Sequence, residues 1–357
     1  SEALNSSISN SDSQTNTNYG ITRHLLMKRF LIKLFALLIG FYLLYALLIA
    51  CFPWRIFYRE FAMWASKEEI MDDPKANTLF VIGDSRALSA FLPEKISDHC
   101  YNLALGGGTP IEGYFTLQRL IATGKVKKII VSYAPFHLES TDTFFERTLK
   151  FKFLTIAGLS SLLQDSFSLD QKFWDENDLH FNGWWDKTST VCKAALIYIN
   201  FPFYYKPELS NLSPINRYEV NMAVYREITG RKGHFNFGSA EFSNGLSKEA
   251  ERKQFLLNKV CVKYLEMTFE LAHAHGIEIL YKTAPCNASS FDHLHREYVT
   301  GYQDFFKTLK KRYPYVTFDD AIYPASDSLF GDPSHLNRRG CIKFSEEFKS
   351  VYLQWLQ

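Results

Sequence analysis

The chain has 357 residues, 46% hydrophobic and 22% charged, which is enough to bury one large core or two modest ones. A formal net charge of +2 gives no electrostatic case for a nucleic-acid partner, which needs a clustered basic face. Cys51, Cys100, Cys192, Cys261, Cys286 and Cys341 form no CxxC and no paired Cys/His spacing, so no metal site is expected, and no cofactor is implied.

Residues 1–23 are largely Ser, Asn and Thr, the composition of a disordered tail. Residues 24–53 contain the strongest physical signal in the chain. From Leu34 to Phe52 there are 19 residues without a charge, and at about 1.5 Å per residue such a helix crosses the hydrocarbon core of a bilayer. Arg23, Lys28, Arg29 and Lys33 precede the run, whereas Trp54, Arg55 and Tyr58 follow it. This bias predicts an uncleaved signal anchor with a cytoplasmic N-terminus and an extracytoplasmic body. A signal peptide would have a shorter apolar core and a small-residue cleavage site. A buried core helix would carry a polar stripe. Beyond the anchor, five cysteines could supply at most two disulfides, with no pairing specified.

A linker over 54–76 leads into alternating elements. The apolar run Thr78–Ile82 predicts a buried strand, followed by Gly83-Asp84-Ser85 and a helix start at 85–91. Tyr101–Leu105 predicts a second strand, closed by Gly106, Gly107 and Gly108. Pro110 opens a helix to about Ala122, and Val126–Tyr133 predicts a third strand. A long helix is expected over Ser247–His275, ended by Gly276. A strand at Ile277–Thr283, a helix near Asp292–Arg312, a strand at Tyr315–Phe318 and a last helix over Arg338–Leu356 complete the series. Alternation of this kind predicts an α/β fold, a parallel sheet with helices on both faces, over 77–357. The interval 140–246 breaks the rhythm. Its aromatic, turn-rich composition reads as an insertion that covers the edge of the sheet or meets a partner. Trp184 and Trp185 within it are candidates for stacking on sugar rings, although core packing is the commoner use of such residues.

Ligands bind an open α/β sheet beyond the carboxyl ends of its strands. Three features fall there. Ser85 follows the first strand at a helix N-terminus, where unpaired N–H groups and the helix dipole favour a developing oxyanion. The glycines at 106–108 let bare backbone approach a substrate. Asp332-Pro333-Ser334-His335 sets a carboxylate three residues before an imidazole, the spacing at which it can orient the ring as a base for a serine. Each feature alone has a plain alternative, as helix cap, tight turn or surface histidine. Their joint placement is what points to chemistry.

The stretches VIGDSRALSAF (81–91), YNLALGGGTP (101–110) and GDPSHLNRRG (331–340) resemble the SGNH (GDSL-type) hydrolase superfamily, and within it the membrane-anchored members related to DltD and to alginate O-acetylation proteins. The resemblance covers about 77–135 and 277–350. It implies a flavodoxin-like parallel sheet, Ser85 as nucleophile, Asp332 and His335 as its triad partners, and the N–H groups of Ser85 and Gly107 as an oxyanion hole. It further implies an acetyl or D-alanyl group, a polysaccharide or teichoic-acid acceptor at the membrane, and a multipass membrane-bound O-acyltransferase as partner. One departure stands out. Residues 132–140, SYAPFHLES, lack the Gly-x-Asn-Asp expected after the third strand. That loss keeps open a non-catalytic polysaccharide-binding or scaffolding subunit of the same kind of complex.

Overall fold

A computed structural model describes residues 2–51, 57–72, 79–141, 144–173, 180–205 and 214–357. The chain divides into two compact units, Ser1–Trp54 with Ile199–Lys206, and Arg55–Tyr198 with Pro207–Gln357.

The first unit is built on one helix, α1 (Glu2–Cys51), with a short 3-10 turn at Pro202–Tyr205. Within α1, the 24 residues Leu25–Leu48 contain an 18-residue window of mean hydropathy 2.3 and none of it is buried, so the helix is long and apolar enough to span a membrane. Its start at Glu2 differs from the disordered tail read from composition. Ser, Asn and Thr are only about 0.5 kcal/mol per residue poorer than Ala in a helix, and a helix nucleated by the apolar run can propagate through them. Trp54 and Arg55, read as interfacial residues, lie outside the described residues.

In the second unit the elements follow as α2 (Phe61–Asp72), β1 (Leu79–Gly83), α3 (Ser85–Ala90), α4 (Pro93–Ile96), β2 (Cys100–Asn102), α5 (Pro110–Ala122) and β3 (Lys128–Ser132). Then come α6 (Phe136–Glu139), α7 (Ile156–Ser168), α8 (Trp184–Tyr198), α9 (Pro214–Gly230), α10 (Lys259–Ala274) and β4 (Glu278–Lys282). The chain closes with β5 (Cys286–Asn287), α11 (Ala288–Asp292), α12 (Arg296–Arg312), β6 (Val316–Asp319), β7 (Pro324–Ala325), α13 (Arg338–Val351) and α14 (Leu353–Leu356). Five strands form one parallel sheet in the order β2-β1-β3-β4-β6, and β5 pairs with β7 separately. Counting the five sheet strands along the chain, this is the 2-1-3-4-5 order of doubly wound sheets. Right-handed crossovers then put the helices leaving the first strand on one face and those leaving the next three on the other. Accordingly α5 packs with α10, whereas α13 packs with α3 and α4.

The interior strand β1, paired on both sides, is buried along its whole length, with Leu79, Phe80, Val81 and Ile82 at most 4% exposed. A continuous apolar run is what a strand covered on both faces requires, and each such side chain contributes about 1.5–3 kcal/mol by burial. Helix α5 starts on a capping box: Thr109 N–H donates to Glu112 Oε2 at 2.8 Å, while Ile111 N–H donates to Thr109 Oγ1 at 3.3 Å. Helix α12 buries Tyr298, Tyr302, Phe306 and Leu309 along one stripe, and the Phe306 ring lies 4.8 Å from that of Tyr281 on β4.

Two stretches differ from the sequence reading. The helix expected over Ser247–His275 is one 3-10 turn, Lys248–Glu251, then irregular chain, then α10 starting after its N-cap Asn258. Tertiary demands interrupt it: Glu249 is drawn into an ion pair with Arg86, and Leu256 N–H donates to Glu139 Oε1 at 2.8 Å. The stretch 54–76, read as a linker, holds α2, whose Ala62, Met63, Trp64, Ile70 and Met71 are buried and which packs on α9. Its apolar residues recur at helical spacing, but their partners are far along the chain. All six cysteines are free thiols, four of them buried. Asn287, which begins the Asn-x-Ser tripeptide 287–289, is fully buried and donates to the Ser243 and Gly245 carbonyls, which leaves no room for a glycan.

Candidate active site

The site is assembled where β1 ends. Gly83 closes the strand, and a Cβ there would lie 2.0 Å from the Ser132 carbonyl oxygen of β3, so a side chain is excluded. Asp84, with no exposed surface, then does three things at once. Its Oδ1 accepts from Arg86 N–H (2.8 Å) and Ala87 N–H (3.2 Å), capping α3. Its Oδ2 accepts from Ala134 N–H at 2.6 Å, tying the end of β1 to the chain leaving β3. This fixes Ser85 as the first residue of α3, where a backbone N–H has no acceptor within the helix.

Opposite, the turn 331–337 delivers the other two groups. His335 Nδ1 lies 2.7 Å from Asp332 Oδ2 and 2.9 Å from Oδ1, and His335 Nε2 lies 2.7 Å from Ser85 Oγ. The turn is held by Ser334 and His335 N–H groups donating to Asp332 Oδ1 (2.8 and 2.9 Å), and by Asn337, which caps α13. Burial opposes the Asp332 charge, but His335 and the two backbone donors outweigh it and hold the carboxyl below its usual range. Ionised Asp332 fixes the proton on Nδ1, leaving the Nε2 lone pair for the serine hydroxyl. Of the three residues singled out in the sequence, His335 is therefore within hydrogen-bonding distance of both Asp332 and Ser85.

Gly107 adopts φ +68°, a left-handed conformation open to glycine, and lines the same cavity as Ser85 and His335. That loop is positioned by Asn102, whose side-chain amide donates to the Ala87, Leu88 and Phe91 carbonyls and whose Oδ1 accepts from Ala104 N–H. After β3, where the sequence lacks an Asn, the cavity wall is made by Ala134, Phe136 and His137. His137 Nε2 is 3.9 Å from Asp84 Oδ2.

Several site residues are not legible from the sequence. Arg86 beside the serine is buried and pairs with Glu249 at 2.6 Å. Burial works against both charges, yet each partner holds the other ionised, with the Glu249 carboxyl below and the Arg86 guanidinium above its ordinary value. The Phe237 ring packs against His335, tilted by 33° with centroids 4.4 Å apart. The cavity, of about 500 Å³, is also lined from α2 and its lead-in by Arg59, Glu60 and Met63, and from the insertion by Arg147, Arg217 and Asn221. The insertion thus forms one wall of the site. Trp184 and Trp185 are 67% and 77% exposed at the start of α8 and do not line this cavity.

In charge, the cavity is one-sided. It is lined by Arg59, Arg86, Arg147, Arg217 and Lys248 against the carboxylates of Glu60 and Glu249. Both carboxylates are engaged, Glu249 by Arg86 and Glu60 by Arg147 at 3.4 Å. A nucleophile, an oriented base and bare N–H groups in such a cavity can perform acyl transfer. The chain matches no family model and no curated protein.

Proposed function

We propose that this chain is a membrane-anchored serine esterase or O-acyltransferase of the SGNH (GDSL-type) hydrolase superfamily, with the flavodoxin-like sheet of that group. The observation that carries the reading is the unbroken relay Asp332–His335–Ser85, with hydrogen-bonding contacts of 2.7 Å on either side of the imidazole. Ser85 Oγ attacks the carbonyl carbon of an ester while His335 Nε2 takes the hydroxyl proton. The tetrahedral oxyanion is met by the N–H groups of Ser85 and Gly107, and His137 stands in the wall where the family's asparagine donor would be. Collapse expels the alcohol, which takes the proton back from His335 and leaves an acyl-serine. A second hydroxyl then attacks, with His335 again as base. Water makes the chain an esterase, and a sugar or polyol hydroxyl makes it a transferase.

The cavity's charge favours an acceptor that carries phosphate or carboxylate, as teichoic acids and acidic polysaccharides do. It favours acetyl over D-alanyl, because an alanyl ammonium would meet only carboxylates already paired to arginines. In this reading α1 is a single-pass anchor with a cytoplasmic N-terminus, the catalytic unit works in the cell envelope, and a multipass membrane-bound O-acyltransferase supplies the acyl group. Fluorophosphonate labelling of the full-length protein tests the mechanism. Wild type is expected to label, while Ser85→Ala and His335→Ala are not. A folded wild type that stays unlabelled would refute the serine mechanism and leave a polysaccharide-binding or scaffolding role.

A further inference from the structure

The unit built on α1 contains a second stretch of chain, Ile199–Lys206, distant in sequence and apolar in character. Its contact with α1 falls well inside the apolar span. Tyr42 Oη–H donates to the Ile199 carbonyl at 3.0 Å, and the Tyr42 and Phe201 rings lie 6.1 Å apart. Tyr42 is six residues before Leu48, the end of the span, which is about 9 Å along a helix rising about 1.5 Å per residue. Tyr42, Tyr45 and Ala46 make one partly covered stripe, and the other residues of Leu25–Leu48 are exposed. Away from that stripe the segment turns apolar groups outward: Ile199 is 54% exposed and Phe203 60%.

We propose that Ile199–Tyr205 is a turn embedded in the lipid bilayer beside α1, its outward side chains in contact with acyl chains. The inference rests on α1 spanning the membrane. Two physical facts favour lipid as the occupant. A backbone carbonyl in hydrocarbon is tolerated only when paired, and a polar group on this face of the span, the Tyr42 hydroxyl, is bonded to the Ile199 carbonyl. Within the turn, Tyr204 N–H donates to the Phe201 carbonyl at 3.1 Å, which pairs two of its backbone groups inside the segment. Moreover, a segment seated about 9 Å inside the apolar stretch meets lipid wherever it does not meet α1.

Spin-label accessibility on the full-length protein, in vesicles of phosphatidylcholine and phosphatidylglycerol, tests this. On a background of Cys51→Ser and Cys192→Ser, single labels are placed by Leu38→Cys in the span, Phe203→Cys in the turn and Lys311→Cys on the exposed face of α12. The expected result is high oxygen and low nickel-chelate accessibility at positions 38 and 203, and the reverse at 311. Tyr42→Phe is then expected to raise nickel access at 203 by roughly threefold, the typical worth of one membrane hydrogen bond. A label at 203 as nickel-accessible as at 311, with 38 still immersed, overturns the embedded turn and leaves the anchor standing. A label at 38 that is itself nickel-accessible overturns both. Shielding of 203 from both reagents overturns lipid contact and assigns the turn to a protein surface, a second copy or a partner helix.

Discussion

Replacing Asp84 removes three hydrogen bonds that converge on one buried carboxylate, and the structure gives the size of the effect. Alanine forfeits the N-cap of α3, worth about 0.5–2 kcal/mol. It also strands the buried Ala134 N–H, which Oδ2 accepts at 2.6 Å, at about 1–3 kcal/mol. The expected loss for Asp84→Ala is therefore about 1.5–5 kcal/mol. Asparagine is the sharper test. It can keep the two bonds to Arg86 and Ala87 N–H only by turning its amide NH₂ toward Ala134 N–H, donor against donor. Asp84→Asn should hence recover the cap and still lose about 1–3 kcal/mol. Urea unfolding of the full-length protein in detergent, followed by tryptophan fluorescence, measures both. Probe labelling at Ser85 should slow in step, since Asp84 sets where α3 begins. If both variants stay within about 0.5 kcal/mol of wild type, the range of an indifferent surface change, this account of Asp84 is wrong.

Asp332→Asn should leave the turn largely in place but cut the rate of serine labelling by about three to four orders of magnitude, because a neutral amide no longer fixes the imidazole tautomer. The Asp332 carboxyl is depressed in the folded protein. Its stabilising contribution is thus full above the ordinary aspartate value of about 3.9 and is lost as pH falls through the lower folded value. The stability gap between wild type and Asp332→Asn, measured by unfolding at a series of pH values, should shrink only in that acid range. Glu139 behaves oppositely. Burial pushes its carboxyl up to about 7, against the pull of Tyr298 O–H and Leu256 N–H. Between the usual glutamate value, about 4.3, and the raised one, the folded state holds a proton that the unfolded state has released, so stability should fall as pH rises. Glu139→Gln should flatten that slope, and an unchanged slope would rule the group out as its source.

How much was legible in the sequence depends on how local each signal is. The apolar run of α1, the strand runs at 79–83, 128–132 and 278–282, and Pro110 at the start of α5 declare themselves by composition and spacing over a few residues. The Asp332/His335 pair is likewise local, since three residues in one turn set its geometry. Arg86–Glu249, Phe237 on His335, and Arg147 and Arg217 in the cavity wall were not readable. The first two join segments 163 and 98 positions apart, the others likewise bring distant segments together, and no local pattern encodes such an approach.

The sequence by itself determined the alternation of buried strands and amphipathic helices, the apolar helix long enough for a membrane, and the identity of a serine, an aspartate and a histidine at predicted strand ends. Periodicity and turn chemistry act over neighbouring residues, so these features survive without knowledge of the fold. Tertiary structure alone decided that His335 reaches Ser85 across 250 positions, that α2 joins the folded unit, and that the helix expected from 247 breaks at Lys248–Glu251. It also decided that Ile199–Lys206 returns to Tyr42. Those outcomes follow from which distant groups can satisfy a buried charge or carbonyl, a question settled only once the chain has closed on itself.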